Sequence, residues 1–371
     1  MPLFDPRPKS NRRDLYDREI ELSLLAKGFR ECSPLILLLG LRRTGKTSLL
    51  QVSLNETNLP NVIVNCRVFE EKNSITYYEF LEVFTRSLSK LLKRARGLSD
   101  LLSKVKGIKV AGFQLELDTS RKERPTITSI LETINEWAMN QGLCVIIGFD
   151  EAQELAKLRG IRILPVLAYV YDHLKNISMV FTGSQIGMLY RFLKLHDPNA
   201  PLYGRVALEI RLNKFSYDQS IDFLEKGFLE YGIRAPRTIL EHAVSVLDGI
   251  PGWLTMFGYY ALTKGVTTRV VDEVLEKAME MVLQEYKNYL RIRPIAAKRY
   301  TLILRAVAEN HNSWSSIKRY LEVIEGKKIS DYVFTQLLRN LVDAGFLEKK
   351  NNIYQIPDPI LKQLLLKHKH I

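Results

Sequence analysis

The stretch Ser33-Pro-Leu-Ile-Leu-Leu-Leu-Gly40-Leu-Arg-Arg-Thr-Gly45-Lys46-Thr47-Ser48-Leu-Leu50 decides the fold of this 371-residue chain. Five consecutive apolar residues, Leu35–Leu39, read as a strand buried on both faces. They run straight into a glycine-rich turn in which Gly40, Gly45, Lys46 and Thr47 satisfy the phosphate-loop pattern in full. Glycines at 40 and 45 let the backbone fold so that successive N–H groups converge on an anion. The helix expected from Lys46 onward adds its partial positive charge. Lys46 is placed to reach the β- and γ-phosphates of a nucleoside triphosphate, and the Thr47 hydroxyl to ligate magnesium. Arg42, Arg43, Thr44 and Ser48, inside and just after the loop, complete the expected nucleotide-binding set.

A second apolar stretch, Leu143–Phe149, ends in Asp150-Glu151. An acidic residue directly after a buried parallel strand lies at the carboxyl edge of the sheet, where doubly wound folds place their ligands. Asp150 is expected to hold magnesium, partly through water. Glu151 is expected to polarise the attacking water, a task that separates hydrolases from kinases. A guanine-reading Asn-Lys-x-Asp is missing, since Asn213-Lys214-Phe215-Ser216 lacks the final aspartate. The chain therefore reads as an ATPase using ATP/ADP and Mg2+.

Working outward, Asn61–Cys66, Asn176–Thr182 and Val206–Leu212 bring the strands to five, with helical periods between them. That alternation predicts an α/β fold with a parallel five-stranded sheet. Residues 107–118 alternate as an inserted hairpin or strand. From 214 to 290 only helical periods occur, broken by Pro236, Gly249, Pro251 and Gly252. Beyond 290, helices near 296–309, 314–324 and 329–344 precede LEKKNNIYQI (347–356), a two-stranded wing, which is the winged helix-turn-helix pattern. The expected division is an arm and helix over 1–30, a phosphate-loop core over 31–213, a helical lid over 214–290 and a winged helix over 291–371. The first sixteen residues are basic and proline-containing, and read as an extended arm.

A composition of 46% hydrophobic and 26% charged residues suits a packed globular protein and excludes global disorder. The net charge of +13 favours an anionic partner. Cys32, Cys66 and Cys144 show no metal-ligand spacing; the latter two read as small buried hydrophobes, and no disulfide framework is expected. No apolar stretch is long enough to span a bilayer and no leader pattern opens the chain, so a cytoplasmic location without membrane contact is expected.

Five strings together resemble the archaeal ATPase family, within the AAA+ and STAND branch of P-loop NTPases: GLRRTGKTSL (40–49), IIGFDEAQ (146–153), FTGS (181–184), PLYGR (201–205) and GIPGWL (249–254). The likeness spans nearly the whole chain. It implies that Ser184, or Thr182, senses the γ-phosphate; that Arg205 is an arginine finger, acting in cis or in trans; and that Gly249 and Pro251 form the lid turn beside the adenine. It also implies a sheet order of 5-1-4-3-2. Where the family usually has Gly-Arg-Glu near the N-terminus, this chain has Asp17-Arg18-Glu19.

Residues 291–371 hold 15 Lys and Arg against 7 Asp and Glu, a surplus of 8 within the chain's net +13. The helix ISDYVFTQLLRNLVDAGF (329–346) offers Gln336 and Arg339 among apolar positions, and Lys349 and Lys350 lie on the wing. Such residues suit base-edge and phosphate contacts with double-stranded DNA. The alternative is a winged helix that packs on the nucleotide domain as a lever, in a signalling or scaffold ATPase whose partner is a protein or a second copy of itself.

Overall fold

The computed structural model of the protein describes residues 2–112, 114–117 and 125–368. Five strands, β1 (Leu35–Gly40), β2 (Asn61–Asn65), β3 (Val145–Asp150), β4 (Ile177–Gly183) and β5 (Leu208–Leu212), form one parallel sheet in the order β2-β3-β4-β1-β5. This is the 5-1-4-3-2 order implied by the family resemblance. Every residue of β1 is buried, as an apolar run in the middle of such a sheet must be. Its side chains alternate between two cores. Leu35, Leu37 and Leu39 face helices α3 (Tyr77–Leu92), α4 (Ile127–Gln141) and α5 (Ile163–His173). Ile36 and Leu38 face α1 (Glu19–Arg30) and α2 (Lys46–Thr57).

The register fixes what meets at the carboxyl edge. Leu39 lies beside Gly183 and Gly40 beside Leu212, while Asp150 lies beside Asn65. The phosphate loop, the carboxylate pair and the residues after β4 therefore share one end of the sheet. Away from it, the expected hairpin forms from Ile108–Ala111 and Gln114–Leu117; Phe113 and Asp118 lie outside the described residues.

After the short helix α6 (Ile186–Leu193) and β5, the chain is helical: α7 (Tyr217–Leu229), α8 (Arg237–Leu247), α9 (Pro251–Lys264) and the long α10 (Thr268–Arg291). Then follow α11 (Ala297–Ala308), α12 (Trp314–Glu325), α13 (Asp331–Asp343), the wing Glu348–Lys350 paired with Ile353–Gln355, and α14 (Pro359–Lys367). The winged-helix pattern in the sequence ends at the wing and does not include α14, whose N-cap Asp358 accepts from the Ile360 and Leu361 amides. One hydrophobic cluster runs unbroken from Phe4 through the lid helices to Leu365, so apolar packing crosses the 290/291 boundary. Tyr286 and Tyr289 on α10 pack edge-to-face against Phe346 of the winged helix.

Two expectations are corrected. The N-terminal arm is docked: Phe4 is fully buried in the lid, seated where a Cβ on Gly227 or Gly258 would lie 2.3 Å from its ring. Absence of side chains at both glycines makes the slot that a local sequence reading does not reveal. The second correction concerns the cysteines. Cys32, after α1, and Cys144, at the entry to β3, are disulfide-bonded, with Cα atoms 5.7 Å apart across 112 residues of chain. Cys66 is the free, buried cysteine.

Candidate active site

The phosphate loop has the backbone its glycines were expected to allow. Gly45 has φ +96°, and at Gly40 a Cβ would lie 2.7 Å from the Leu212 carbonyl oxygen. Lys46 starts α2 and is buried; its Nζ donates to the carbonyls of Gly40 and Leu41, both at 2.8 Å. Burial lowers the Lys46 ammonium, and the charges of Glu151 and Asp150 restore only part of the loss, leaving it at about 8.

Asp150 and Glu151 face this loop from β3. Thr47 Oγ1 donates to Asp150 Oδ2 at 3.3 Å, and Thr182 Oγ1 donates to Asp150 Oδ1. The Glu151 amide donates to Thr182 Oγ1 at 3.2 Å. Glu151 has φ +53°, a left-handed conformation uncommon for a residue other than glycine. Its Oε2 accepts from Ser184 Oγ at 2.7 Å, Ser184 N at 3.1 Å and Gln153 Nε2 at 2.8 Å, and its Oε1 lies 3.2 Å from Arg67 Nη2. Burial pushes the Glu151 carboxyl up, but the Lys46 charge and the Gln153 and Ser184 donors outweigh it and hold it at about 2. The N-cap position of α6 is Gln185, which leaves both Ser184 donors to Glu151.

Arg67 and Gln153 were not singled out in the sequence. Arg67 follows β2 by two residues, and only the pairing of β2 with β3 sets it 3.2 Å from Glu151. Gln153 closes the IIGFDEAQ string already quoted, so its signal was present.

The lid reaches the same loop. Pro251 opens α9, and the Gly252 amide donates to the Arg43 carbonyl at 3.0 Å. Gly249 has φ +66°, and a Cβ there would lie 2.3 Å from the Phe215 carbonyl oxygen. Arg43 lies 4.1 Å above the Trp253 ring and donates to Glu285 of α10 at 2.7 Å. Arg42 bridges Glu70 at 2.9 Å and Glu285 at 3.4 Å. Thr44 Oγ1 donates to the Leu41 carbonyl at 2.9 Å, and Ser48 Oγ accepts from the Lys9 amide at 3.0 Å. Both belong to the loop's own scaffold as well as to its rim. A cavity of about 610 Å³ opens over the loop, walled by the arm, by Pro251, Met256 and Tyr259 of the lid, and by Lys46, Thr47 and Glu151. That volume is ordinary for a small-molecule site. Asp17, in place of the family's glycine, takes a left-handed φ of +56°, which aspartate tolerates, and accepts from Gln219 Nε2 at 2.7 Å.

Arg205 stands apart from this cluster. It precedes β5, which enters the sheet beside Ile36, at the end opposite the loop. A six-residue strand such as β1 spans about 20 Å, so Arg205 does not reach the loop of its own chain. Its guanidinium instead forks onto Asp172, at 3.0 and 2.5 Å, and lies 5.7 Å from the Tyr171 ring centre.

The candidate DNA residues lie on α13 and on the wing. Arg339, Lys349 and Lys350 are exposed and Gln336 is half-buried. Lys350 pairs with Glu348 at 3.0 Å, and Lys349 lies over Tyr354 at 5.6 Å. Among the described residues no helix is long and apolar enough to cross a membrane.

Comparison with known proteins agrees with this fold. A family described as an ATPase domain predominantly from Archaea matches residues 15–257, and the C-terminal winged helix-turn-helix domain of MCM proteins matches 294–356. A Walker-type ATPase of Pyrococcus abyssi is similar at 36% identity and a TM-score of 0.81, covering 98% of this chain and 99% of the other. The ORC2 protein of Aeropyrum pernix, solved as ADPNP–ADP complexes, shares the fold at 15% identity, with a TM-score of 0.61 and coverage of 98% and 96%. Cdc6p of Pyrobaculum aerophilum does so at 16% identity and 0.50, again over 98% and 96%. No curated protein matches. The phosphate loop, the carboxylate pair above it and these likenesses place the chain in the archaeal ATPase family, and it is an ATP-hydrolysing, nucleotide-binding enzyme.

Proposed function

We propose that the chain hydrolyses ATP with magnesium, and that its nucleotide state sets the position of a winged helix that binds double-stranded DNA. The observation that carries the hydrolytic part is Glu151 held by Ser184 and Gln153 within the field of Lys46. A carboxylate kept ionised at the loop is suited to orient a water toward the γ-phosphate. Thr47 Oγ1 and Asp150 Oδ2, 3.3 Å apart, form a hard oxygen pair that fits magnesium and would hold the ion beside the nucleotide phosphates, where it would offset their charge. Lys46 and Arg67 neutralise the phosphates, and Gly40, Gly45, Arg42, Arg43, Thr44, Ser48 and Pro251 frame them and the nucleoside. Arg205, at the opposite edge, supplies a finger to a neighbouring copy, so the active form is an oligomer.

The link to the winged helix is α10. Glu285 pairs with both loop arginines, and one residue further on Tyr286 enters the apolar cluster shared with the winged helix. The basic surplus of residues 291–371 favours DNA over a protein partner. Glu151→Gln tests the hydrolytic assignment: ATP affinity stays at the wild-type value while turnover falls at least about a hundredfold. Unchanged turnover removes Glu151 from that role. Replacing Lys349 and Lys350 with alanine weakens duplex binding uniformly across sequences, and lowers the salt slope by roughly one unit for each phosphate no longer engaged.

A further inference from the structure

Three arginines from separate parts of the chain gather where the core meets the winged helix. Along α13, Tyr332, Gln336, Arg339 and Asp343 recur at spacings of four, three and four, and so share one face of the helix. Tyr332 is 75% exposed and Arg339 is exposed, but the last member of the stripe is covered by the core. Arg191 of α6 forms an ion pair with Asp343 through Nη2, and its Nη1 lies 3.5 Å from Asn340 Oδ1. One turn earlier on α6, Gly187 packs so tightly that a Cβ there would lie 2.4 Å from Asp343 Cα. Asn340 Nδ2 donates to the Tyr300 hydroxyl at 2.9 Å, Tyr300 packs on Tyr289, and Arg293 lies 4.2 Å above the Tyr289 ring. Burial, and then the nearby charges of Arg339 and Arg293, pull the Arg191 guanidinium below its ordinary value. These three cations share one field.

We propose that Arg191, Arg293 and Arg339 form a phosphate-binding ridge for the backbone of duplex DNA, gripped jointly by the ATPase core and the winged helix; this rests on the DNA reading above. Guanidinium forks match phosphate oxygens in pairs, which ammonium groups do not. The ridge continues the stripe of α13 whose N-terminal end is open for base edges, and elements flanking a recognition helix contact the backbone. Asp343 on that stripe would repel a polyanion; Arg191 neutralises it. A duplex seated there also touches α6, which begins two residues after Ser184 and its hold on Glu151. Core contact with DNA is therefore mechanically adjacent to the hydrolytic carboxylate.

Anisotropy titrations of the full chain with a short fluorescent duplex, over a range of salt, test the ridge. Arg293→Ala and Arg339→Ala each lower affinity about tenfold and reduce the salt slope by roughly one. Arg191→Ala weakens binding at least as much, whereas Asp343→Ala, which breaks the same α6–α13 ion pair, leaves binding unchanged or tighter. If both Arg191→Ala and Asp343→Ala weaken it, the ion pair serves docking alone and the ridge is wrong. If Arg191→Ala tightens binding, the core occludes the helix, and the ridge is again wrong. Wild-type protein that fails to bind duplex at low salt overturns the DNA reading together with the ridge. Binding that Lys349→Ala/Lys350→Ala weakens but the three arginine variants do not overturns the ridge alone.

Discussion

Ser184 donates both its backbone amide and its hydroxyl to one oxygen of Glu151, at 3.1 and 2.7 Å. With Gln153 Nε2, they put three donors on that single carboxylate oxygen, which fix the rotamer and leave the other oxygen, Oε1, to Arg67. Thr182, two residues earlier, serves Asp150 instead, so the FTGS string divides its polar groups between the two carboxylates. Ser184→Ala is expected to keep ATP affinity within about threefold and lower kcat roughly tenfold or more, the worth of one hydrogen bond to a charged group. Wild-type kcat in this variant would reduce the contact to a purely structural one.

Lys46 should make ATP binding sensitive to pH. With the ammonium held at about 8, a growing fraction of the free protein is neutral at Lys46 above that pH. Phosphates favour the charged form, so binding raises its pKa and draws a proton from the buffer. ATP affinity should fall as pH rises through 8, with proton uptake on binding visible by calorimetry in buffers of different ionisation enthalpy. Affinity that is flat from pH 7 to about 9.5 would contradict the depressed value.

Arg205 lies at the edge of the sheet opposite its own phosphate loop. Arg205→Ala should therefore retain ATP affinity within a few-fold and lose most turnover, since a finger acts on charge that develops in the transition state. Mixing it with Lys46→Ala protein should restore activity, because a mixed interface joins an intact loop to an intact finger. Failure to restore activity, with both proteins associating, would return Arg205 to its pairing with Asp172.

Phe4 pins the arm into the lid. Phe4→Ala should cost about 3–5 kcal/mol, since a fully buried ring leaves a slot floored by two glycines that cannot refill it. The arm also walls the nucleotide cavity, so ATP affinity should drop with it, and protease should cut near Arg7. An unchanged melting temperature would show that the arm is not anchored by this residue.

The Cys32–Cys144 bond closes a long loop between α1 and β3. On the chain-entropy account, reduction should remove about 4–5 kcal/mol and lower Tm. Cys32→Ser should do the same and become insensitive to reductant. Equal Tm with and without reductant in the parent protein would rule out this contribution.

What the sequence by itself determined was local. A strand followed at once by Gly40, Gly45, Lys46 and Thr47, and a second strand ending in Asp150-Glu151, depend on periodicity and on residue types that few other geometries use. The wing and the helices before it were legible for the same reason. So, in principle, was α14, since Asp358-Pro359 is a helix start by cap and first-turn chemistry. Tertiary structure alone decided the rest. Arg67 meets Glu151 across 84 residues because β2 and β3 are neighbours, and Arg43 meets Glu285 across 242 because α10 passes behind the loop. Phe4 finds its slot through two glycines on different helices, and Arg205 is carried away from its own loop by the register of β5. Each of these depends on which surfaces the folded chain brings together, and no local pattern of residues encodes that.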